Sequence, residues 1–155
     1  MEFINMNPVF ELRSAEYCLD VRVIAQHDNM VTVNSAVSVD FAGQVAAESI
    51  GPRVISGAGG QTSFAIGSFF SKGGRFITVM TSTTGRGKVS RIAPMLAEGT
   101  IVTVPRTISD YVITEYGIAH IKGKTQRQRA LELIGIAHPD FRSELKKEAE
   151  KLYWP

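Results

Sequence analysis

The sequence is poor in the residues that form disulfides and bind metals: it has one cysteine, Cys18, and three histidines in 155 residues. A single thiol cannot form an internal disulfide, so nothing in the sequence points to an oxidising compartment. The histidines, His27, His120 and His138, are not spaced as metal ligands are. We therefore expect no metal site.

The sequence also lacks an apolar run as long as a membrane span. Its first residues, MEFINMNPVF, have neither the basic start nor the apolar centre of a signal peptide. We therefore expect a cytoplasmic protein that does not associate with membranes.

Neither sign of charge dominates: Lys and Arg number 17, Asp and Glu number 15, and the formal net charge is +2. No basic stripe alternates with aromatic residues, so we expect no nucleic-acid partner. With 44% hydrophobic and 21% charged residues, the composition is typical of a soluble globular domain. Three short basic clusters, Lys72–Arg75, Arg86–Arg91 and Lys122–Arg129, are interpreted as solvated surface that is also suited to a phosphorylated ligand.

Several segments have the pattern of strands. Met30–Asp40 alternates apolar and polar residues, which predicts a strand with one wet face. A turn at Phe41–Gln44 leads to QVAAES, which we interpret as a second short strand paired with the first. Arg75–Thr83 predicts a buried strand, and Asp110–Ile121 predicts a strand and a turn.

Other segments predict helices between these strands. Thr125–Ile136 is a helix that Thr125 can cap, and its apolar residues share one face. Phe141–Leu152 predicts a second, charged helix, and Phe64–Ser71 a short one. Two further runs, Val21–Gln26 and Thr100–Pro105, are apolar and β-branched. The alternation predicts an α/β domain with an open mixed sheet flanked by helices.

The segment Ser56–Phe64 reads SGAGGQTSF and joins a strand-like run to the predicted short helix. Glycine is needed where the backbone turns with φ > 0 or where another group approaches it closely. In open α/β sheets, ligands bind at such junctions. The spacing matches neither the dinucleotide fingerprint nor the Walker A loop. The residues alone therefore leave two interpretations, a ligand cradle and a tight structural turn.

Five motifs follow one another in a fixed order: SGAGGQ with Phe64, then SKGGR, GRGKVSRI, ITEYGIAHIKGKT and IAHPDFR. This order resembles the C-terminal half of the acetyl-CoA hydrolase/transferase family, of the 4-hydroxybutyrate CoA-transferase type. The early segment from NPVFELR to AAESIG resembles the start of the same domain, so the resemblance covers nearly all 155 residues. It implies that residues 1–155 are one CoA-transferase-type α/β domain.

The resemblance also implies a reaction, the transfer of coenzyme A between an acyl-CoA and a free short-chain carboxylate such as 4-hydroxybutyrate, butyrate or acetate. In the family a glutamate attacks the thioester and carries coenzyme A as a glutamyl-CoA thioester, which divides one exchange into two easier steps. That glutamate belongs to the N-terminal half of the enzyme. The resemblance therefore implies no catalytic residue in this chain, an inactive isolated chain, the N-terminal half as a partner, and no cofactor other than coenzyme A as substrate.

Residue by residue, the resemblance implies a site around the glycine segment. Gly59, Gly60 and Gln61 would support the thioester and its oxyanion, and Arg86 and Lys88 would meet the phosphates. The residues implied to bind coenzyme A are Ser56, Gly57, Gly60, Arg86, Lys88 and Asn34, with Lys72 as a further basic group. Two positions depart from the family: Gly85 stands where relatives often have a lysine, and Ser63 where many have an aspartate.

Three alternatives stay open from the sequence. The acyl acceptor can be water, which would make the protein an acetyl-CoA hydrolase. The chain can be an isolated non-catalytic domain that binds coenzyme A, or a docking surface for the N-terminal half. We interpret Glu115, in ITEYGIA, as a residue that fixes the local fold rather than a nucleophile. If another region normally covers this domain, apolar surface is exposed, which predicts a homo-oligomer.

Overall fold

The structure, a computed structural model, describes residues 2–154, and five helices and eleven strands form within them. The helices are α1 (Ala15–Cys18), α2 (Val21–Ala25), α3 (Gln61–Phe70), α4 (Gln126–Gly135) and α5 (Pro139–Tyr153). The strands are β1 (Val31–Ser35), β2 (Ser38–Asp40), β3 (Val45–Ala46), β4 (Ser49–Ile50), β5 (Arg53–Val54), β6 (Arg75–Val79), β7 (Thr83–Thr84), β8 (Val89–Ser90), β9 (Ile92–Ala93), β10 (Tyr111–Thr114) and β11 (Gly117–His120). None of the helices in this range has the length and apolar character that crossing a membrane requires.

The main sheet contains four strands in the order β1–β6–β10–β11. Strands β1, β6 and β10 run parallel, and β11 returns antiparallel to β10 as a hairpin. A smaller sheet has the order β3–β2–β9, and two hairpins, β4–β5 and β7–β8, stand apart from it. The predicted α/β architecture, an open mixed sheet flanked by helices, is confirmed.

Helices α3 and α4 cover one face of the main sheet, where Phe76 is buried. The hydroxyl of Thr32 on β1 lies 3.2 Å from the Ser68 hydroxyl of α3 and donates to it. The hydroxyl of Thr114 on β10 donates to the carbonyl of Ile136, just after α4, at 2.6 Å. These hydrogen bonds satisfy polar groups that would be costly to bury unpaired, so polar side chains can lie under the helices.

Helix α5 packs against α4. Leu145 and Ala149 of α5 belong to the same buried cluster as the apolar face of α4. The face predicted for α4 is buried, with its members Ala130, Leu133, Ile134 and Ala137. The predicted helix and its Thr125 cap are confirmed.

The opposite face of the main sheet is apolar and largely exposed, and we call it the uncovered face. One row across it consists of Val33, Ile77 and Tyr111, which are register partners on β1, β6 and β10. A second row consists of Val79, Ile113 and Ile118. Val33 is 61% exposed and Ile118 is 65% exposed. The expectation that the domain exposes apolar area is confirmed.

The prediction for Met30–Asp40 is wrong in two respects. The segment is not one strand, because the Ala36 N–H donates to Val79 in the main sheet whereas the Val37 N–H donates to Ala46 in the smaller sheet. The chain thus changes sheets at this point. The polarity of β1 is also reversed, since its threonine lies under α3 and its valines lie on the uncovered face.

Three further segments differ from the sequence pattern. Val21–Gln26 is the short helix α2, which Asp20 caps by accepting a hydrogen bond from the Arg22 N–H at 2.8 Å. Thr100–Pro105 contributes only a single bridge between Val104 and Val45. Helix α3 begins at Gln61, three residues before the predicted start, because glycine is accepted at the N-cap.

Replacing Thr125 with alanine should lower the free energy of unfolding by about 1 kcal/mol, because it removes the cap of α4. The Thr125 hydroxyl accepts from the Gln128 N–H at 3.3 Å, and the Gln128 side chain accepts from the Thr125 N–H at 3.0 Å. Urea denaturation measures the change. Thr107→Ala removes an exposed threonine that caps no helix, and an equal loss in that control would contradict the assignment.

Candidate functional site

The glycine segment, Ser56–Gly60, lies at the edge of the main sheet where the parallel strands end. Helix α3 runs antiparallel to β1: Ser68, near its end, meets Thr32, whereas Phe64, in its first turns, borders a cleft with Asn34. The N-terminus of α3 is therefore at the carboxyl edge of the sheet. Open α/β sheets bind their ligands at this edge.

No side chain caps α3, because Gly60 is its N-cap residue. The first backbone N–H groups of a helix have no partner within the helix, and they favour a negatively charged group in front of them. Ser56 to Gly59 are exposed in front of this helix end. The segment therefore places unpaired donors next to an accessible stretch of backbone.

The three glycines of the segment differ in their surroundings. A Cβ on Gly57 or Gly59 would have no heavy atom within 4 Å, so the backbone there is open to an approaching group. Gly59 also has a φ of +56°, which disfavours other residues. A Cβ on Gly60 would instead lie 2.4 Å from the Leu19 side chain, so packing against the α1–α2 connection accounts for this glycine. The structural interpretation thus accounts for Gly59 and Gly60, and the ligand cradle stays a prediction for the open backbone at Gly57 and Gly59.

Gln61, the first residue of α3, carries a buried amide in the same place. Its side chain is 93% buried, being 7% exposed, and its Nε2 has no hydrogen-bond partner among the described residues. A buried amide without a partner costs about 1–3 kcal/mol. The next residue, Thr62, is held by a 2.7 Å hydrogen bond from its hydroxyl to the Thr103 carbonyl. Gln61 therefore carries an enclosed donor that has no partner among the described residues.

Asn34 lies near the carboxyl end of β1 and is half-buried. With Phe64 and the preceding residues of β1, it lines a cleft of about 210 Å³. Because Phe64 is one turn after Gly60, the fold brings Asn34 to the same end of α3 as the glycine segment. Asn34 and Ser56, which are 22 positions apart in the sequence, thus lie at the same end of α3.

Arg86 and Lys88 stand elsewhere, on the exposed tip of the β7–β8 hairpin. Gly85, Arg86 and Gly87 all have positive φ, with values of 62°, 59° and 85°. This conformation costs a non-glycine residue such as Arg86 about 1–2 kcal/mol. The two basic side chains make no hydrogen bond or ion pair with the rest of residues 2–154, and none joins them to the glycine segment. Their charges are free to meet a ligand.

The largest cavity at the carboxyl edge has a volume of about 570 Å³. The ends of β1, β6 and β10 form its apolar wall, and Arg91 and Glu115 are the charged residues that line it. Arg91 belongs to the basic cluster Arg86–Arg91, and no pattern in the sequence singles it out as a site residue. The one indication in the sequence is that this arginine occurs within a mainly apolar run, VSRIAP.

Glu115 fixes the local fold, as predicted. One of its carboxylate oxygens accepts from the Ser82 N–H at 2.8 Å and the other from the Ser82 hydroxyl at 2.6 Å. The hydrogen bond from the Ser82 hydroxyl lowers the pKa of Glu115 below its ordinary value, against the opposing effect of burial. Glu115 is therefore ionised at neutral pH, with both oxygens occupied.

An uncapped helix, open glycines and a buried free amide lie together at the carboxyl edge of a parallel sheet, the edge at which α/β domains bind their ligands. The comparisons identify its kind. The family model of the acetyl-CoA hydrolase/transferase C-terminal domain matches residues 1–149. The chain therefore belongs to the family of acetyl-CoA hydrolase/transferase C-terminal domains. The resemblance found in the sequence motifs is confirmed.

Similar proteins carry names from the same field of chemistry. A 4-hydroxybutyrate coenzyme A transferase of Clostridium kluyveri is 53% identical over 152 residues, which are 98% of this chain and 35% of that protein. An acetyl-CoA hydrolase of Kluyveromyces lactis is 27% identical over 136 residues, 83% of this chain and 25% of that protein. The chain thus spans about a third of the length of the transferase that it matches.

Solved structures show the same fold. RipA from Yersinia pestis has a TM-score of 0.89 at 39% identity, covering 99% of this chain and 34% of that one. A 4-hydroxybutyrate CoA-transferase from Porphyromonas gingivalis has a TM-score of 0.79 at 38% identity, covering 98% of this chain and 34% of that one. The sheet and the helix order described above are therefore those of CoA-transferase domains.

Gly60→Val should destabilise the protein by about 0.5–2 kcal/mol, because valine is a poor N-cap residue and its side chain would also displace the end of the Leu19 side chain. Gly57→Val places the same side chain in open space and should leave the free energy of unfolding within about 0.5 kcal/mol of the wild type. Thermal and urea denaturation of the two variants measure the difference. Equal stability of both would contradict the packing role of Gly60.

Proposed function

We propose that this chain is the coenzyme A-binding domain of a CoA-transferase that moves coenzyme A between an acyl-CoA and a free short-chain carboxylate. The observation that carries the proposal is the open glycine segment in front of uncapped α3, with the free amide of Gln61 beside it. Similarity to a 4-hydroxybutyrate coenzyme A transferase over nearly the whole chain supports it. The acid is one of the 4-hydroxybutyrate, butyrate or acetate type.

In this proposal the glycine segment receives the thioester end of the substrate. Attack on a thioester carbonyl forms a tetrahedral intermediate with a negative charge on its oxygen. Preorganised N–H donors stabilise such an oxyanion by about 2.7–4 kcal/mol when one donor is compared with none. Gly59, Gly60 and Gln61 supply donors of this kind, from the backbone at the start of α3 and from the Gln61 amide. Ser56, Gly57 and Asn34 hold the pantetheine chain next to them.

The phosphates of coenzyme A are assigned to the hairpin tip. Arg86 and Lys88 carry unpaired positive charges there, and both are exposed. The hairpin follows β6 after Met80–Ser82, so it begins at the same carboxyl edge as the glycine segment. Coenzyme A is long enough to reach from a thioester at the sheet edge to a basic group well away from it. Lys72, at the opposite end of β6, is a weaker candidate on this topology.

The nucleophile is proposed to lie outside this chain. A carboxylate oxygen of a glutamate attacks the thioester carbon and the C–S bond breaks, so that coenzyme A leaves as a thiolate and an anhydride forms. The thiolate then attacks the glutamyl carbonyl, the acid leaves as a carboxylate, and a glutamyl-CoA thioester remains for the second acid. Glu115 is unsuited to this role because Ser82 occupies both of its oxygens. The chain alone should therefore bind coenzyme A without transferring it.

Calorimetric titration with coenzyme A tests the proposal. The wild-type chain should bind, and Gly57→Val should weaken binding at least ten-fold, because the side chain fills the space that the ligand needs. Gly135→Val is the matched control, since it also adds a side chain where no atom lies within 4 Å, but on α4. Absence of binding by the wild type, or equal weakening in both variants, would count against the proposal.

We further propose that the uncovered face, apart from the cavity at its carboxyl edge, packs against the part of the longer relatives that this chain does not span. A mainly parallel sheet is normally buried on both faces, and β1 has valines on the side without helices. Without that partner region, the same apolar rows favour contact between copies of the chain. A homo-oligomer is the expected state of the chain by itself.

Sedimentation velocity checks the expected self-association. Val33→Lys combined with Ile118→Lys should shift the protein towards the monomer, because both side chains lie on the uncovered face. Leu131→Lys combined with Leu152→Lys changes exposed leucines on α4 and α5 and should leave the association unchanged. A wild type that sediments as a compact monomer at every concentration would refute the idea.

A further inference from the structure

Arg91 lines the cavity of about 570 Å³ at the carboxyl edge, and most N–H groups of its guanidinium make no hydrogen bond with the described residues. The guanidinium has five N–H donors in a planar fork. Among residues 2–154 its only side-chain hydrogen bond runs from Nη1 to the Ala36 carbonyl, at 3.3 Å. Its Nε is enclosed and has no partner in the described part of the chain. Because Nε is enclosed, Nη2 and the second N–H of Nη1 are left for a ligand, and this end of the planar fork is suited to an acceptor that takes two parallel hydrogen bonds.

The backbone holds Arg91 in place. Its N–H donates to the Ser82 carbonyl at 2.9 Å, and its carbonyl accepts from the Val39 N–H at 2.9 Å. Two backbone hydrogen bonds thus hold the residue between β2 and the segment that follows β6. A positioned arginine loses less conformational freedom on binding than one on a surface loop.

The charges around the cavity leave that of Arg91 uncompensated. No carboxylate of the described residues lies within ion-pair distance of its guanidinium. Glu115, the other charged residue of the lining, points its oxygens at Ser82. The remaining wall is mainly apolar and includes Val79, Met80 and Ile113. The cavity therefore combines one free cation with a surface for a short alkyl chain.

We propose that Arg91 binds the carboxylate of the short-chain acid that exchanges coenzyme A, with the alkyl chain against Val79, Met80 and Ile113. Two parallel N–H···O bonds from a guanidinium to a carboxylate are strong and geometrically selective. The cavity and the glycine segment lie at the same edge of the sheet, where the acid would meet the thioester. This inference rests on the proposed function and makes Arg91 a specificity-determining residue of it.

NMR of the ¹⁵N-labelled chain, titrated with butyrate at constant ionic strength, tests the proposal. The Arg91 Nε–H resonance and the amides of Ala36 and Met80 should shift and saturate with butyrate. Butyramide, which has the same shape without the charge, should produce no such shift. Arg91→Gln should weaken butyrate binding about ten-fold or more. Absence of a saturable shift, or the same affinity in Arg91→Gln, would overturn the proposal.

Two further variants separate a carboxylate site from general disturbance of the fold. Glu115→Gln removes the negative charge of the cavity, and the new amide can still accept from the Ser82 N–H and donate to the Ser82 hydroxyl. It should therefore tighten butyrate binding, which a merely structural effect would not do. Arg53→Gln removes an exposed arginine outside the cavity and should leave butyrate affinity unchanged. Weakening by all three substitutions alike would also contradict the assignment.

A parallel titration with coenzyme A keeps this inference apart from the proposed function. Coenzyme A is followed through the amides of Gly57 and Gly59, and butyrate through Arg91. Butyrate binding without coenzyme A binding would support the carboxylate site and refute the coenzyme A domain. Coenzyme A binding with no effect of butyrate on Arg91 would refute the carboxylate site alone.

Discussion

The parallel pairing of β1, β6 and β10 is the constraint on which the rest of the structure depends. Parallel strands end at the same edge, so α3, the helix that connects β1 to β6, must begin there. For this reason the glycine segment, the Gln61 amide and the Arg91 cavity all border one edge although they are distant in sequence. The site is a consequence of topology before it is one of particular side chains.

Much of the fold could be predicted from the sequence where local signals are strong. Helix α4 follows from the Thr125 cap and the apolar face, because both act within a few residues. Helix α5 begins at Pro139, two residues before the predicted Phe141, because proline is accepted at the first position of a helix. Strand β1 could not be oriented, because alternation gives a strand two faces and does not say which one the helices cover. Thr32 can be buried because the Ser68 hydroxyl accepts a hydrogen bond from its hydroxyl, and that contact exists only in the folded chain.

The candidate site was predictable in composition and only partly in geometry. The resemblance indicated the glycine segment, yet the packing of Gly60 against Leu19 depends on a contact between segments 41 residues apart. No local pattern distinguishes Arg91 from its basic neighbours in the sequence. Its Nε is enclosed without a partner only in the folded chain, where β9 pairs with β2 next to it. Sequence motifs indicate which residues can donate hydrogen bonds, whereas packing determines which of these donors stay unpaired.

The register of β1 with β6 pairs Val31 with Arg75, so the loop that this contact closes is 44 residues long (75 − 31). The hairpin of β10 and β11 closes a far shorter loop. Closing the longer loop costs more conformational entropy than closing the hairpin. The glycine segment lies inside the 44-residue loop. A local opening that separated β1 from β6 would therefore also release the glycine segment from the edge of the sheet.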